Sequence, residues 1–363
     1  MAHPARVRKV VLAVVCVLTM AQYAPLRDAP FVYEDSHALR AIASPLMWAV
    51  PGRTLTTASY LWSAGSPVDP GAFHLGNLAI HLANGLLVYA IGVIVVGGWP
   101  AILAASTFLV HPLSSEAVAY VSGRSDLLVT LCLLLAVWAT LLRGSAWWRG
   151  PLVVLALAGA ATSKELGIVG IPLVVVTLWL WRPSSLTAAM APLLLVLGVA
   201  IGSAWASVAT WVTLENGAGG SSLAWTELVV RQLAALTRLL ALVVWPVGFS
   251  VDHDMLALGE GWRVAGVAVA MLAAVVVVTA WRRCPAVAFS VGWVALSVGP
   301  RMVVHTSEWI NEHQMYVAMA GLSWLIGLGL DALWHGRRVT WPRSHRITTS
   351  PPPPSATALT DRP

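Results

Sequence analysis

The chain has 363 residues, of which 58% are hydrophobic and only 10% charged, against about 25% charged in a soluble globular domain. Its mean hydropathy of +0.76 excludes an ordinary soluble enzyme. The net charge of +6 is not gathered into a basic stripe interleaved with aromatics, which excludes nucleic acid as a partner.

Segments apolar enough to cross ~30 Å of hydrocarbon run along the whole chain, and a β-barrel would instead show shorter alternating segments. The predicted spans are 10–26, 72–97, 99–112, 126–142, 150–163, 166–181, 187–213, 264–281, 285–303 and 314–335. The first follows Arg6, Arg8 and Lys9 and ends near Ala24 in the manner of a secretory signal. With so many spans after it, it is read as an uncleaved helix.

The first long polar stretch, 27–71, carries FVYEDSHALR, in which Glu34 and Asp35 are adjacent. If this loop faces away from the cytoplasm, the pair is the best candidate for a catalytic base. The second span opens FHLGNLAIHLANGLL, which puts His74, Asn77, His81 and Asn84 at intervals of 3, 4 and 3 on one helix face. Such a polar stripe belongs inside the bundle, as interhelical hydrogen bonds or as the lining of a cavity. Metal ligation by His74 and His81 is disfavoured, because i, i+7 separates them by about 10 Å of helical rise.

HPLSSEAVAYVSGRSDLL (111–128) gathers His111, Glu116, Arg124 and Asp126. Arg124 either presents its planar fork to a phosphate or pairs with Asp126 or Glu116. Lys164 and Glu165, jammed between two apolar runs, form either a helix-end ion pair or a ligand contact through Lys164. The segment 225–246 spaces Glu227, Arg231 and Arg238 on one face and reads as an amphipathic helix rather than a span. It belongs to a second large outer region, 214–263. In SEWINEHQMY, Glu308, Glu312 and Tyr316 share one face if the last helix begins that early.

Charge fixes the expected topology. With ten spans and both termini cytoplasmic, the arginines at 143, 149, 182, 282, 283, 337 and 338 lie inside, while nearly all the acids lie outside, in keeping with the positive-inside rule. The tail 337–363, basic and with PPPP at 351–354, has nothing to bury and is predicted to be disordered. Cys16, Cys132 and Cys284 form no CxxC pair, so neither a disulfide framework nor a thiolate metal site is predicted.

The blocks FVYEDSHAL, GRTLTTASYLW, FHLGNLAIHLANGLLVY, HPLSSEAVAYVSGRSDLL, ATSKELGIVGIPL, LLALVVWPVGFSVDHD and NEHQMYVAMAGL follow one another in order. Over about 31–330 they resemble the membrane portion of the TMTC-like (transmembrane and tetratricopeptide-repeat) mannosyltransferases and their bacterial relatives, in the GT-C superfamily that also holds the protein O-mannosyltransferases. The resemblance implies an all-α polytopic membrane protein, 1–336 forming a GT-C-like bundle of about ten transmembrane helices with a long first extracytoplasmic loop. In a bacterium it would sit in the plasma membrane.

It also implies an inverting transfer of a sugar, mannose-like, from a polyprenyl-phosphate donor to a hydroxyl acceptor on protein, glycan or lipid at the outer face. Asp35 or Glu34 would be the base, and Arg124 and Lys164 the phosphate contacts. Arg53, His74, His81, His111, Glu116, Asp126, Glu312 and Tyr316 would line the cavity. No cofactor is predicted, and the acids leave a divalent metal open. Two features depart from the family pattern. Glu34 stands where the first Asp of F-V-x-D-D is expected, and Gln314 lies near a position that is often Arg. The family's repeat domain is not found in these 363 residues. Two other classes compete: a transporter or lipid flippase, which should carry charges at the midplane and two similar halves, and a non-catalytic scaffold of the same architecture.

Overall fold

Asp69-Pro70-Gly71 starts the longest helix among the described residues. The Asp69 side chain accepts the Gly71 N–H at 3.0 Å, Pro70 needs no N–H in the first turn, and 26 residues of helix follow, Pro70–Val95. The computed structural model describes residues 4–32, 35–43, 52–65, 68–143, 146–181, 225–250, 258–303 and 311–336. Among them the regular structure is entirely helical. The span expected at 187–213, the tail 337–363, Glu34 and Glu308 lie outside the described residues.

The helices are, in order, α1 (Pro4–Tyr23), α2 (Asp35–Ala43), α3 (Thr54–Ser63), α4 (Pro70–Val95), α5 (Gly98–Val110), α6 (Ser115–Ala119) and α7 (Arg124–Leu141). They continue as α8 (Ala146–Ser163), α9 (Gly170–Trp181), α10 (Trp225–Val244), α11 (Glu260–Arg283), α12 (Pro285–Val303) and α13 (Tyr316–His335). Among the described residues five helical stretches are long and apolar enough to cross a membrane: Arg6–Asp28, Pro70–Val95, Arg124–Leu141, Glu260–Arg283 and Glu312–His335. A sixth arises if Gly98–Val110 and Pro112–Ala119, bent by 55°, count as one broken span. The crossings expected at 150–163, 166–181 and 285–303 are helical as α8, α9 and α12, but none of these is among the five.

The amphipathic reading of 225–246 corresponds to α10, whose Leu228, Leu236, Leu239 and Leu242 are buried while Glu227 and Arg231 pair on its exposed side. Arg231 and the neighbouring Arg263 hold the Glu227 carboxyl below its ordinary range. The last helix starts later than the acidic spacing suggests. Glu312–Met315 is a 3-10 turn capped by Asn311, and regular α-helix begins at Tyr316.

Helix α7 is the centre of the bundle and packs against α4, α8, α9 and α13. Glycines let α4 and α13 close in on α5, as small residues do where lipid offers no hydrophobic drive for helix pairing. A Cβ on Gly327 of α13 would come within 2.3 Å of the Pro100 carbonyl oxygen, and one on Gly85 of α4 within 2.4 Å of a Leu109 methyl carbon. Backbone cannot yield as a side-chain tip does. Gly327→Ala is therefore expected to destabilise the α5–α13 contact by about 1–3 kcal/mol, read as a lower melting temperature of the purified protein in detergent. Gly329, with nothing near its Cβ position, is the control and should tolerate alanine.

Candidate functional site

Asp35 is the first residue of α2, and it is fully buried. Its Oδ2 accepts the Val32 N–H and its Oδ1 the Ser122 N–H, both at 3.0 Å. One carboxylate thus fixes the entry to its own helix and pins the first loop onto the turn before α7, 87 residues away. Two of about four lone-pair sites are used in this way, which leaves acceptor capacity for a substrate proton. Beneath it lie Phe31, Tyr60, Phe73 and Val121, a small apolar cluster that carries α3 and the loop on α4. Burial pushes the Tyr60 phenol up, and its O–H donates to the Val121 carbonyl at 3.2 Å.

Arg124 is also buried. Its Nε donates to Asn77 Oδ1 at 2.8 Å, Nη1 to the Ser59 carbonyl and Ser63 Oγ, and Nη2 to the Phe73 carbonyl at 2.6 Å. The guanidinium also lies over the Tyr60 and Phe73 rings, a favourable placement for a cation. Gly76 makes room for it, since a Cβ there would meet Nη2 at 2.8 Å. Neither pairing considered from sequence occurs. Arg124 answers backbone carbonyls and Asn77, while Asp126 binds Lys164 and Glu116 binds His313.

Lys164 Nζ donates to both carboxylate oxygens of Asp126 at 2.7 Å, and both residues are buried. This ties the end of α8 to the first turn of α7. Next to it Arg53 Nη2 meets Glu165 Oε2 at 2.9 Å, with the side chains 26% and 29% exposed. Partly exposed pairs contribute little because water competes for both charges. Arg53→Gln is expected to shift stability by less than about 1 kcal/mol, measured by thermal unfolding in detergent.

The polar stripe of α4 faces inward, as its spacing requires. Asn77 Nδ2 donates to the Tyr120 and Val118 carbonyls, and Asn84 Nδ2 to the Leu127 carbonyl. His81 Nε2 lies 3.1 Å from the Leu109 carbonyl, which can only accept, so the proton is assigned to Nε2. Nδ1 is then the acceptor for the Tyr316 hydroxyl at 2.7 Å. Tyr316 in turn accepts from Asn84 Nδ2 at 3.1 Å. Four helices, α4, α5, α7 and α13, are joined by these bonds, well inside the bundle.

His111 sits at the break between α5 and α6, where Nδ1 accepts the Leu113 N–H and Nε2 bonds the Val243 carbonyl of α10. Glu116 accepts the His313 N–H at 2.7 Å and contacts its Nδ1 at 3.1 Å, while Glu312 accepts the Ser250 N–H at 2.9 Å. These three therefore brace the region where α6, α10 and the start of α13 meet. The structure separates the predicted residues into an inner group (Asp35, His74, Arg124, with Tyr60 and Asn77), an adjoining charged group (Arg53, Asp126, Lys164, Glu165), the buried His81–Tyr316 pair with Asn84, and this bracing set. Sequence reasoning missed Tyr60 and the Ser122 N–H; a backbone donor leaves no mark in the residue pattern. Among the described residues no cluster of three or more His, Cys, Asp or Glu is placed to hold a metal ion.

No protein-family profile matches the chain, and no solved structure matches it. It is similar to "Protein O-mannosyl-transferase Tmtc2" of Drosophila melanogaster, with 30% identity over 178 residues covering 40% of this chain and 19% of the relative. It is also similar to "Protein O-mannosyl-transferase Tmtc1" of the same organism, with 32% identity over 149 residues covering 34% of this chain and 17% of the relative. The chain thus spans less than a fifth of the length of these curated relatives. Over that part, it shares the resemblance that its ordered residue blocks imply, to the protein O-mannosyl-transferases of the Tmtc type.

Proposed function

We propose that this chain is a membrane glycosyltransferase that moves a sugar, mannose-like, from a polyprenyl-phosphate donor to an acceptor hydroxyl on the extracytoplasmic side, with inversion. The observation that carries the reading is the similarity to two named protein O-mannosyl-transferases. The buried Asp35 carboxylate in the first loop supports it. Transfer needs a group that takes the proton from the attacking hydroxyl. Asp35, or its neighbour Glu34, has the right chemistry, and the loop clamp holds Asp35 in one orientation before substrate arrives.

The second requirement is positive charge for the departing phosphate. Arg124 gives four of its five N–H groups and Lys164 two of its three to protein acceptors, so we assign this task first to Arg53. It commits a single N–H to Glu165, remains partly exposed, and lies near enough to Tyr60 of the inner group for its charge to act on that phenol. A planar fork with N–H groups to spare suits a phosphate. Membrane-crossing helices around the site fit a lipid-linked donor, whose polyprenyl chain stays in the hydrocarbon while its headgroup reaches the loop.

The test is mass spectrometry of the detergent-purified protein for a co-purifying polyprenyl-phosphate sugar, followed by transfer of labelled mannose from such a donor to a Ser/Thr peptide. A bound lipid-phosphate hexose and a labelled peptide are expected. Neither binding nor consumption of any polyprenyl-phosphate sugar by intact protein would defeat the proposal. Movement of the labelled lipid across liposomes without a covalent product would replace it by a flippase.

A further inference from the structure

Helix α11 ends in a cluster that the site around Asp35 does not use. The helix is 24 residues long, about 36 Å at ~1.5 Å per residue, against ~30 Å of hydrocarbon in a bilayer. Of its residues only Gly266 is buried, so lipid can meet most of its surface. A span of this length brings its last turn, 279–283, to the level of the lipid headgroups. There Arg282 and Arg283 are exposed, and Trp281 packs against Trp179 of α9 with ring centroids 3.6 Å apart. Lys164 lies just before α9 and Trp179 near its far end, so the cluster stands away from the Lys164–Asp126 pair.

A cavity of about 560 Å³ opens here, lined by Trp179, Trp281, Val277, Val278 and both arginines. Its size is that of a small-molecule site, roughly 300–1,000 Å³. Arginines in a last turn complement the helix dipole, which accounts for their charge but not for the aromatic-walled space beside them. At the opposite end of α11, Arg263 has Glu227 and Glu260 within 3.7 Å. Among the described residues no ion pair reaches Arg282 or Arg283. Two guanidinium groups without an acid call for an anion, and their planar forks suit a phosphate. Thr279 gives its hydroxyl proton to the Val275 carbonyl, which leaves recognition to the arginines. The rest of the setting is apolar, with Val277 and Val278 in the cavity and Leu272, Val275 and Val278 exposed along the helix. A phosphate joined to hydrocarbon chains matches both halves of this surface, and a free phosphate only one. A zwitterionic headgroup would bring an amine against the arginines, so a net negative one is favoured.

We propose that this cavity holds the headgroup of one anionic glycerophospholipid, with Arg282 and Arg283 on its phosphate and an acyl chain along α11. Basic pockets between membrane helices take anionic headgroups in this way, and tryptophans favour the same interfacial level. A bound lipid would touch α9 and α11 at once. The inference does not depend on the glycosyltransferase reading.

The experiment is native mass spectrometry of the delipidated full-length protein in detergent, titrated with phosphatidylglycerol, phosphatidylcholine or inorganic phosphate. One phosphatidylglycerol is expected to bind, with phosphatidylcholine weaker by about tenfold or more, and inorganic phosphate should not displace the lipid. Arg282→Gln combined with Arg283→Gln is expected to weaken phosphatidylglycerol binding by about tenfold or more, the worth of two cations at a membrane surface. Trp179→Ala keeps both charges, removes one wall of the cavity and should also weaken binding. Arg6→Gln combined with Lys9→Gln removes the same charge from exposed positions of α1 and should leave binding unchanged. Equal binding of the two lipids, displacement by inorganic phosphate, or wild-type affinity in the double arginine variant or in Trp179→Ala overturns the proposal. An equal loss in the α1 control also overturns it, since overall charge would then be the attraction. Melting temperatures without lipid are recorded for every variant, and if the double arginine variant does not fold, Trp179→Ala and the comparison of lipids decide.

Discussion

Replacing Asp35 by asparagine is expected to lower sugar transfer by about 100-fold or more, within the 10²–10⁴-fold range typical of a lost general base. The same change should also lower the melting temperature by a few degrees. Asparagine keeps the size of the side chain but swaps one acceptor oxygen for an NH2 group, which cannot receive an N–H. Either the Val32 or the Ser122 donor then faces another donor, at a cost of about 1–3 kcal/mol for a buried group left unsatisfied. Glu34→Gln is expected to retain most of its activity. Activity and melting temperature, measured together on both variants, separate the two roles of the acidic pair. An inactive but stable Glu34→Gln, beside an active but less stable Asp35→Asn, would make Glu34 the base and reduce Asp35 to the clamp of the loop. Full activity in both would remove the pair from the chemistry.

The second large effect is on stability. Lys164→Met or Asp126→Leu alone is expected to cost about 3–5 kcal/mol, because each leaves an uncompensated charge in a dry environment. The double replacement should recover most of the loss, since a buried pair exchanged for apolar groups of similar volume is often neutral or better. Reversible unfolding of the three variants in mixed micelles gives the coupling energy directly. Single variants that cost under about 1 kcal/mol would mean that water reaches the pair. The contrast with Arg53–Glu165, a partly exposed pair of similar length, isolates the effect of burial.

How far the residues alone predict this structure depends on the range of the interaction. The α4 stripe was legible because helical periodicity is local: the 3, 4, 3 spacing places Asn77, His81 and Asn84 on one face, and all three are buried. Their partners were not legible, because Tyr316 lies 235 residues from His81 and no spacing rule connects them. Arg124 shows the limit of reading charge from sequence. Beside Asp126 it invites a local pair, but the first turn of α7 turns it toward the Ser59 and Phe73 carbonyls. Asp126 is left to a lysine 38 residues on. The last helix begins close to the expected 314, and the Asn311 and Gln314 capping exchange sets that start rather than the acidic spacing. Asp35 was picked out by its position in a polar loop, whereas its backbone donors depend entirely on how that loop folds back.

The Asp35 clamp also bears on how the protein is made. Its partners, and those of Arg124, all lie between residues 32 and 124. A ribosome therefore supplies every piece of the inner group before it reaches the Lys164 that neutralises Asp126. The loop can settle on the early helices during insertion, while the contact of Tyr316 with His81 must wait for the final segment to enter the bilayer. The contacts of Asp35 and Arg124 can thus form first, and the arrival of α13 adds the Tyr316 contact to helices that already touch.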